Sequence, residues 1–153
     1  MSAIASRARS RFEIRPFTPR DRIPYFALLA EARLPTAGLD DHLRHAVIAG
    51  TARGVIGGAT VELYESGGLL RSVVVAPSWQ RRGVGQALTD AILDLARRST
   101  VPAVYLLTRT AERFFAARGF TAMGREEIPD AMTASAELRG ACPASAVVMR
   151  LGL

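Results

Sequence analysis

Cysteine, lysine and long apolar runs are the scarce features of this 153-residue sequence. Its single cysteine, Cys142, excludes an intrachain disulfide and suits a reducing compartment, so we expect a cytoplasmic protein. No apolar run reaches the ~18–20 residues that a membrane-spanning helix needs. The two histidines, His42 and His45, belong to no recognisable metal-ligand cluster, and we therefore expect no metal site.

The net charge of +6 rests on arginine alone, because all 20 basic residues are arginines. Such a charge suits nucleic acid, an anionic membrane or a polyanionic cofactor as a partner. The arginines are scattered, apart from the pairs Arg81–Arg82 and Arg97–Arg98, and no basic run alternates with aromatic residues. We therefore expect no nucleic acid or membrane partner and favour a cofactor that carries phosphate.

Hydrophobic periodicity and turn residues predict one domain over residues 12–153, preceded by a short N-terminal tail over residues 1–11. Thr18, followed by Pro19 and by Asp21 at the third helical position, predicts the start of the first helix. Predicted strands cover 11–15, 46–49, 55–64, 69–75, 103–107, 120–125 and 144–151, and predicted helices cover 18–33, 83–98 and 110–118. This order predicts the α/β class, with helices on the faces of a mixed sheet.

The segment that carries chemistry runs from the apolar strand 69–75 into the helix that begins at about Gly83. Backbone N–H groups at a helix start have no internal partner, and with the helix dipole they form an anion site. Gly83 lets a phosphate approach the backbone, Gly85 packs the first turn closely, and Arg81 and Arg82 add positive charge. A bare Gly-x-Gly more often only eases a turn, but the full pattern Val-x-Pro-x-x-Gln-x-x-Gly-x-Gly in this context favours a phosphate site.

The same segment resembles motif A of the GNAT acetyltransferases, in which Gln/Arg-x-x-Gly-x-Gly/Ala binds the pyrophosphate of acetyl-coenzyme A. The resemblance covers nearly the whole chain, since the order of predicted elements also matches. It implies a mixed, mostly antiparallel sheet of six to seven strands with about four helices, and splayed fourth and fifth strands that hold the pantetheine arm by backbone pairing. The residues implied in coenzyme binding are Val73, Val74, Val75, Gln80, Arg81, Arg82, Gly83, Val84, Gly85, Gln86 and Phe114.

Three further stretches resemble the GNAT subfamily that is encoded with arsenic-resistance operons: residues 68–73, 107–115 and 142–146. This resemblance implies an enzyme of the resistance or detoxification type. It also implies that the acceptor of the acetyl group is a small amine compound.

The acid–base groups that many members of the family use are missing at the matching positions. Leu69 stands where a glutamate would deprotonate the amine, and Phe115 stands where a tyrosine would protonate the thiolate. Direct transfer does not require them, because positioning lowers the barrier and acid–base groups typically contribute only ~10²–10⁴-fold. The candidate catalytic replacements are Glu62, Tyr64 and Ser72. Structural alternatives stay open, with Glu62 facing solvent on an alternating strand and Tyr64 capping the sheet edge.

Arg71 interrupts the apolar strand 69–75, where an unpaired guanidinium would be costly to bury. It is either a structural ion pair, with Glu62 or another acid, or a substrate contact, since arginine binds carboxylates bidentately. We favour the contact, with Arg71, Ser72 and Thr108 as substrate-binding residues and a carboxylate on the acceptor.

The resemblance, together with the position of Arg71, implies an N-acetyltransferase that moves acetyl from acetyl-CoA directly to the amine of a small molecule, such as an amino acid or its analogue. His42 lies in the connection that often lines the acceptor site in this family, but it fits a surface position better. Cys142 is expected to be a packed loop residue, because direct transfer needs no acyl-enzyme. The alternatives are a protein N-terminal or lysine acetyltransferase and a non-enzymatic acyl-CoA sensor. An exposed final strand would offer an edge for a homodimer.

Overall fold

The computed structural model of the protein describes residues 11–141 and 145–153. Within these ranges a seven-stranded sheet has the order β1-β2-β3-β4-β5-β7-β6. Its strands are β1 (Glu13–Pro16), β2 (Ala46–Thr51), β3 (Gly54–Tyr64), β4 (Gly67–Val75), β5 (Ala103–Thr108), β6 (Thr121–Met123) and β7 (Val147–Gly152). Only β4 and β5 pair in parallel in this sheet, so the predicted mixed, mostly antiparallel architecture is confirmed.

The described residues form three α-helices: α1 (Arg22–Glu31), α2 (Val84–Arg98) and α3 (Glu112–Ala117). Thr18 and Asp21 form the predicted capping box, but the first turn that they start, Pro19–Asp21, is a 3-10 turn. The β6–β7 connection, which we expected to be a loop, contains helical turns at Arg125–Glu127, Asp130–Ala134 and Glu137–Ala141. Two more turns lie at Leu39–His45 and Pro77–Trp79.

The two faces of the sheet are covered by different segments. On one face α2 buries Val84, Leu88 and Ile92, as its helical spacing predicts, against the strands and α3. On the other face α1 and residues 39–45 pack over β2–β4 around the fully buried Tyr25. The β6–β7 connection extends that cover, with Met132 fully buried in a third apolar cluster beside β4 and β5.

The final strand is not at the edge of the sheet. β7 lies between β5 and β6, and the edges of the described sheet are β1 and β6. The expectation of an exposed final strand is therefore wrong, and a strand-paired dimer would have to use another edge. Cys142 and nearly all of the predicted N-terminal tail lie outside the described residues. Within the described ranges, we find no helix that is both long and apolar enough to cross a membrane.

Candidate active site

A gap between β4 and β5 opens halfway along β4. Parallel pairing joins residues 68–70 of β4 to residues 104–106 of β5, and it ends there although β4 continues to Val75. One edge of the second half of β4 is thus left unpaired by β5. This is the separation of the fourth and fifth strands that the resemblance to the GNAT family implies.

A β-bulge at Ser72 marks the point where the gap opens. Ser72 has a left-handed backbone with φ of 58°, and the register between β3 and β4 shifts between Gly58 and Thr60. The bulge is held by Tyr25 of α1, whose hydroxyl donates to Ser72 O at 2.8 Å and lies 2.9 Å from Thr60 Oγ1. Burial raises the pKa of Tyr25, so this hydroxyl remains protonated and available as a donor.

At the end of β4, the backbone N–H and C=O groups of two residues face the gap. Ala76 N–H donates to Ile56 O of β3 at 2.7 Å, and backbone groups alternate along a strand, so those of Val73 and Val75 face the gap. This orientation is the one that pairing with a pantetheine arm requires. Val74, which we also expected to contact the coenzyme, instead pairs with β3, and its side chain packs beneath α1.

The loop between β4 and α2 forms a backbone concavity. Arg81 and Gly83 both have left-handed backbones, with φ of 64° and 85°, and such turns direct successive N–H groups toward a common anion. A Cβ placed on Gly83 would meet nothing within 4 Å, so a ligand has open access to this backbone. Arg82 lies with its guanidinium carbon 4.9 Å from the centre of the Trp79 ring. The loop therefore combines free N–H groups, the start of α2 and two exposed cations.

Three of the expected coenzyme residues meet at the mouth of the gap. A Cβ on Gly85 would lie 3.4 Å from Phe114 Cζ of α3 and 3.8 Å from Val75 Cγ2 of β4. A methyl group at Gly85 would make ordinary van der Waals contacts with both side chains, so little room is left there for a larger residue. The glycine thus keeps α2 close to both walls of the gap.

The remaining expected coenzyme residues differ in what they expose. Gln80 Nε2 donates to Val75 O at 3.2 Å, so this side chain fastens the loop to the end of β4. The Val84 side chain is buried in the core, which leaves only its backbone at the loop. Gln86 is exposed on the first turn of α2.

A buried polar cluster lies beside the bulge, on the face that α1 covers. At its centre is Glu62, whose side chain is 1% exposed. Glu62 Oε2 accepts from Arg71 Nη1 at 3.0 Å, and Oε1 accepts from the Tyr64 hydroxyl at 2.5 Å and lies 3.6 Å from His42 Nε2. We call Glu62, Tyr64, Arg71, His42 and Glu137 the acceptor-side cluster. The alternative in which Glu62 faces solvent is wrong.

Tyr64 serves this cluster as a hydrogen-bond donor. Burial raises its pKa, and the hydrogen bond to the Glu62 carboxylate raises it further. The phenol therefore stays protonated in the physiological range. Its position near the sheet end is half-buried rather than that of an exposed edge cap.

Arg71 is enclosed on all sides, with a side chain that is 0% exposed. Its partners are Pro35 O (3.2 Å), Ala37 O (2.8 Å), Glu62 Oε2 (3.0 Å), Ser72 Oγ (3.1 Å) and Glu137 Oε1 (3.5 Å). This is the arrangement of the structural ion pair, the alternative to a substrate contact. Ser72, expected in both catalysis and substrate binding, contributes its hydroxyl to this same set.

Two connections meet above Arg71 and close this face. A Cβ on Gly38 would lie 3.0 Å from the Cβ of Ala136, so residues 35–38 and 135–137 are in close contact. Both connections bind the Arg71 guanidinium, through backbone carbonyls and through Glu137 respectively. We call these two stretches the acceptor-side cover.

Residues 42–122, just over half of the chain, match the profile of the acetyltransferase (GNAT) domain. The chain belongs to the GNAT acetyltransferase family. This membership confirms the family to which the loop motif pointed.

Similar proteins agree with the GNAT assignment. The amino-acid acetyltransferase of Mycobacterium tuberculosis is 40% identical over 64 residues, which are 42% of this chain and 36% of that protein. The N-acetylglutamate synthase of Neisseria gonorrhoeae, solved with coenzyme A and N-acetyl-glutamate, has a TM-score of 0.79 at 22% identity, over 93% of this chain and 35% of its own. A GNAT acetyltransferase of Staphylococcus aureus has a TM-score of 0.78 at 13% identity, over 93% of this chain and 99% of its own. The chain thus spans about a third of the length of the first two proteins.

The positions at which many GNAT enzymes carry acid–base groups belong to the apolar core here. Leu69 is 1% exposed, and Phe115 packs edge to face between Phe114 and Phe120, with ring centres 5.0 and 5.7 Å away. Neither residue can move a proton. Thr108, expected to bind substrate, accepts from Ala111 N–H at 3.0 Å and so shapes the turn before α3.

Sequence reasoning underestimated two residues of the acceptor-side cluster. His42 was placed on the acceptor side only through the family resemblance, and Glu137 was not singled out. Both come from connections, where no periodicity indicates which side chain turns inward. Their contacts with Glu62 and Arg71 depend on the packing of segments that are far apart in the chain.

Proposed function

We propose that this chain is an N-acetyltransferase that moves the acetyl group of acetyl-CoA directly to the primary amine of a small molecule. The observation that carries the proposal is the gap beside β4, which opens at the Ser72 bulge and leads to the concavity at Arg81 and Gly83. The acetyl thioester supplies an activated carbonyl carbon for attack by an amine. The residues of the chain bind and position the two reactants.

In the proposed complex the coenzyme follows the unpaired edge of β4. Backbone groups of Val73 and Val75 pair with the pantetheine arm, for which the Gln80 amide must leave Val75 O. The N–H groups of the loop and of the first turn of α2 hold the pyrophosphate, and Arg81 adds charge. Phe114 lines the opposite wall. The thioester then lies near the bulge, beside the acceptor-side cluster.

The closed acceptor side favours a small acceptor over a protein chain. Residues 35–38 and 135–137 meet over Arg71, and Met132 anchors the second of these segments in the core. An extended peptide would need an open groove at this place. The likeness to an amino-acid acetyltransferase supports an amino acid or an analogue as the acceptor.

The resemblance of residues 68–73 and 107–115 to the subfamily encoded with arsenic-resistance operons supports a role in resistance or detoxification. We place that role in the cytoplasm, a reducing compartment that suits a chain with a single cysteine.

Coenzyme binding is tested by the melting temperature with and without acetyl-CoA. A ligand at 100 times its Kd adds about 2.7 kcal/mol to stability, so the wild-type melting temperature should rise clearly. Gly83→Val should abolish this rise, because its side chain fills the phosphate site. Since Val at a positive φ also strains the backbone, Gly54→Val is the matched control. Gly54 also has a positive φ and open space, but it is the first residue of β3, where it pairs with Thr51 of β2, and β4 separates it from the gap.

Transfer itself is tested by release of free coenzyme A thiol from acetyl-CoA over a panel of amines. The panel should contain amino acids, their amides and decarboxylated forms, and peptides with free N-termini. Turnover with small amino acids and not with peptides supports the proposal. Turnover with peptides alone would identify a protein acetyltransferase, and tight coenzyme binding without any thiol release would identify an acyl-CoA sensor.

A further inference from the structure

We propose that His42 takes the proton from the acceptor's ammonium group, and that Glu62 acts as the positioning residue that holds the imidazole for this step. The inference rests on the proposed acetyl transfer. It supplies the base that is missing at Leu69, from a different segment of the chain.

The two carboxylate oxygens of Glu62 serve two different sides of the cluster. Oε2 faces inward to Arg71, whose Nη1 donates to it at 3.0 Å. Oε1 faces outward, where it accepts from Tyr64 and lies 3.6 Å from His42 Nε2. At 3.6 Å this contact is longer than a hydrogen bond, but the negative charge beside Nε2 favours the tautomer that carries hydrogen there. We therefore assign the free lone pair of His42 to Nδ1.

Access singles out His42 among the members of the cluster. The side chains of Glu62, Arg71 and Glu137 are 1%, 0% and 5% exposed, whereas that of His42 is 24% exposed. The Tyr64 phenol is committed to Glu62, and its raised pKa makes it a donor rather than a base. Histidine is also the side chain that ordinarily changes charge between pH 5 and 8, as a base for amine chemistry requires.

The cluster lies where the chemistry must occur. Arg71 links Glu62 to Ser72 through Nη1 and Nε, at 3.0 and 3.1 Å, and Ser72 is the bulge at which the gap opens. His42 is therefore one carboxylate and one guanidinium away from the point where we place the thioester. Solvent reaches His42 but not Glu62 or Arg71, so in this proposal the acceptor amine approaches His42 from the outer side of the cluster.

The proton balance of the step is complete without any further reagent. Nδ1 of His42 accepts one proton from the ammonium, which leaves a neutral amine whose lone pair forms the N–C bond to the thioester carbonyl. The C–S bond then breaks, and the sulfur takes the second amine proton to give the free thiol. His42 returns the first proton to water, so that each transfer yields one amide, one thiol and one proton.

The charged and titratable groups around His42 come from four elements. Glu62 and Tyr64 face it from β3, Arg71 follows from β4 through Glu62, and Glu137 reaches Arg71 from the β6–β7 connection. His45 lies on the same 3-10 turn as His42. Burial, together with the charges of Arg44 and His42, lowers the pKa of His45. His45 thus offers a histidine of the same turn as a matched control.

The first test is kinetic and uses an amine that the wild type acetylates. His42→Ala should lower kcat/KM by about 10²–10³-fold near neutral pH, and the loss should shrink at high pH, where the amine is already neutral. Added imidazole should restore part of the activity in His42→Ala. His45→Ala should keep the wild-type pH profile. A His42→Ala enzyme with the wild-type profile and no response to imidazole would overturn the proposal.

The second test does not depend on activity. With only two histidines in the chain, the ring nitrogens of each imidazole can be resolved by NMR in the free protein at one fixed pH. Glu62→Gln should change the ring ¹⁵N chemical shifts of His42 and leave those of His45 in place, because the carboxylate beside Nε2 selects the ring tautomer. Tyr64→Phe should also change the His42 shifts, since it removes the other donor to Oε1. Tyr64→Phe keeps the test decisive if Glu62→Gln does not fold, and His42 ring shifts that neither folded variant changes would contradict the pairing.

The two tests separate this inference from the proposed function. If no amine releases thiol with the wild type, the acetyl-transfer proposal fails, whatever the NMR spectra show. If transfer is confirmed and His42→Ala retains the wild-type profile, only the assignment of the base fails.

Discussion

The two sides of the gap are built in different ways. The coenzyme side is a continuous stretch, residues 73–85, whose strand end, loop and helix start are all local structures. The acceptor side is assembled from Arg71 and Glu62 on neighbouring strands, His42 from the turn before β2, and Glu137 from the β6–β7 connection. The coenzyme side presents exposed cations and open backbone, whereas the acceptor side is dry and carries paired charges.

The difference follows from what each side has to bind. A pyrophosphate needs many N–H donors and positive charge near solvent, and a short turn with glycine supplies them. A small amine must be placed to a fraction of an ångström beside a thioester, which requires side chains locked by packing. Local motifs suffice for the first task. The second depends on the tertiary fold, so substitutions on the two sides should damage different properties.

The largest expected effect is a loss of stability in Arg71→Ala. This change leaves the Glu62 and Glu137 carboxylates buried without their guanidinium and releases the carbonyls of residues 35 and 37. Breaking a buried pair by removing one partner costs about 3–5 kcal/mol. Chemical denaturation should show this loss, with the acceptor KM changing similarly for acceptors with and without a carboxylate. Near-normal stability, together with a large rise in KM only for carboxylate-bearing acceptors, would instead establish Arg71 as the carboxylate anchor.

A smaller effect is expected on the coenzyme side, in affinity and not in stability. Arg81→Gly keeps a residue that tolerates the left-handed backbone and removes one exposed cation. Affinity for coenzyme A should fall about tenfold, roughly 1.4 kcal/mol, with a weaker dependence on salt, while stability stays within about 1 kcal/mol. Isothermal titration calorimetry at two salt concentrations measures both the affinity for coenzyme A and its dependence on salt. Arg98→Ala makes the same charge change about 20 Å away, at the far end of α2. An equal loss of affinity in both variants would reduce the role of Arg81 to net charge.

The same contrast explains what could be predicted from the sequence. The strand that borders the gap, the open backbone at Gly83 and the close packing at Gly85 follow from a local pattern and a family resemblance. The left-handed backbone of Gly83 and the contact of Gly85 with Phe114 are known only from the structure. The burial of Glu62 could not be predicted, because an acid on an alternating strand faces solvent unless a distant segment covers it. The β6–β7 connection supplies part of that cover, and its small and polar residues give no periodic signal. The place of β7 inside the sheet was missed for a related reason, since strand order is set by long-range pairing.

The smallest expected effect is on stability, at an ion pair between Arg15 and Asp21. This pair is charged like the acceptor side, but its residues are close in the sequence, like those of the coenzyme side. Arg15 donates to both carboxylate oxygens of Asp21, at 2.7 and 2.8 Å, and the Thr18 N–H donates to the same carboxylate at 2.8 Å. These hydrogen bonds lower the pKa of Asp21 from its ordinary 3.8 to about 2. A depressed carboxyl pKa adds stability above the unfolded-state pKa, and this stability is lost as pH falls from about 4 to about 2. The difference in unfolding free energy between the wild type and Asp21→Asn should therefore narrow by about 1 kcal/mol across that window, a modest value because solvent reaches Arg15. Arg22 also lowers the pKa of Asp40, but that pair is exposed and screened by solvent, so the difference for Asp40→Asn should narrow less. Parallel curves for the wild type and Asp21→Asn would show that the Arg15–Asp21 pair adds nothing to stability across this pH window.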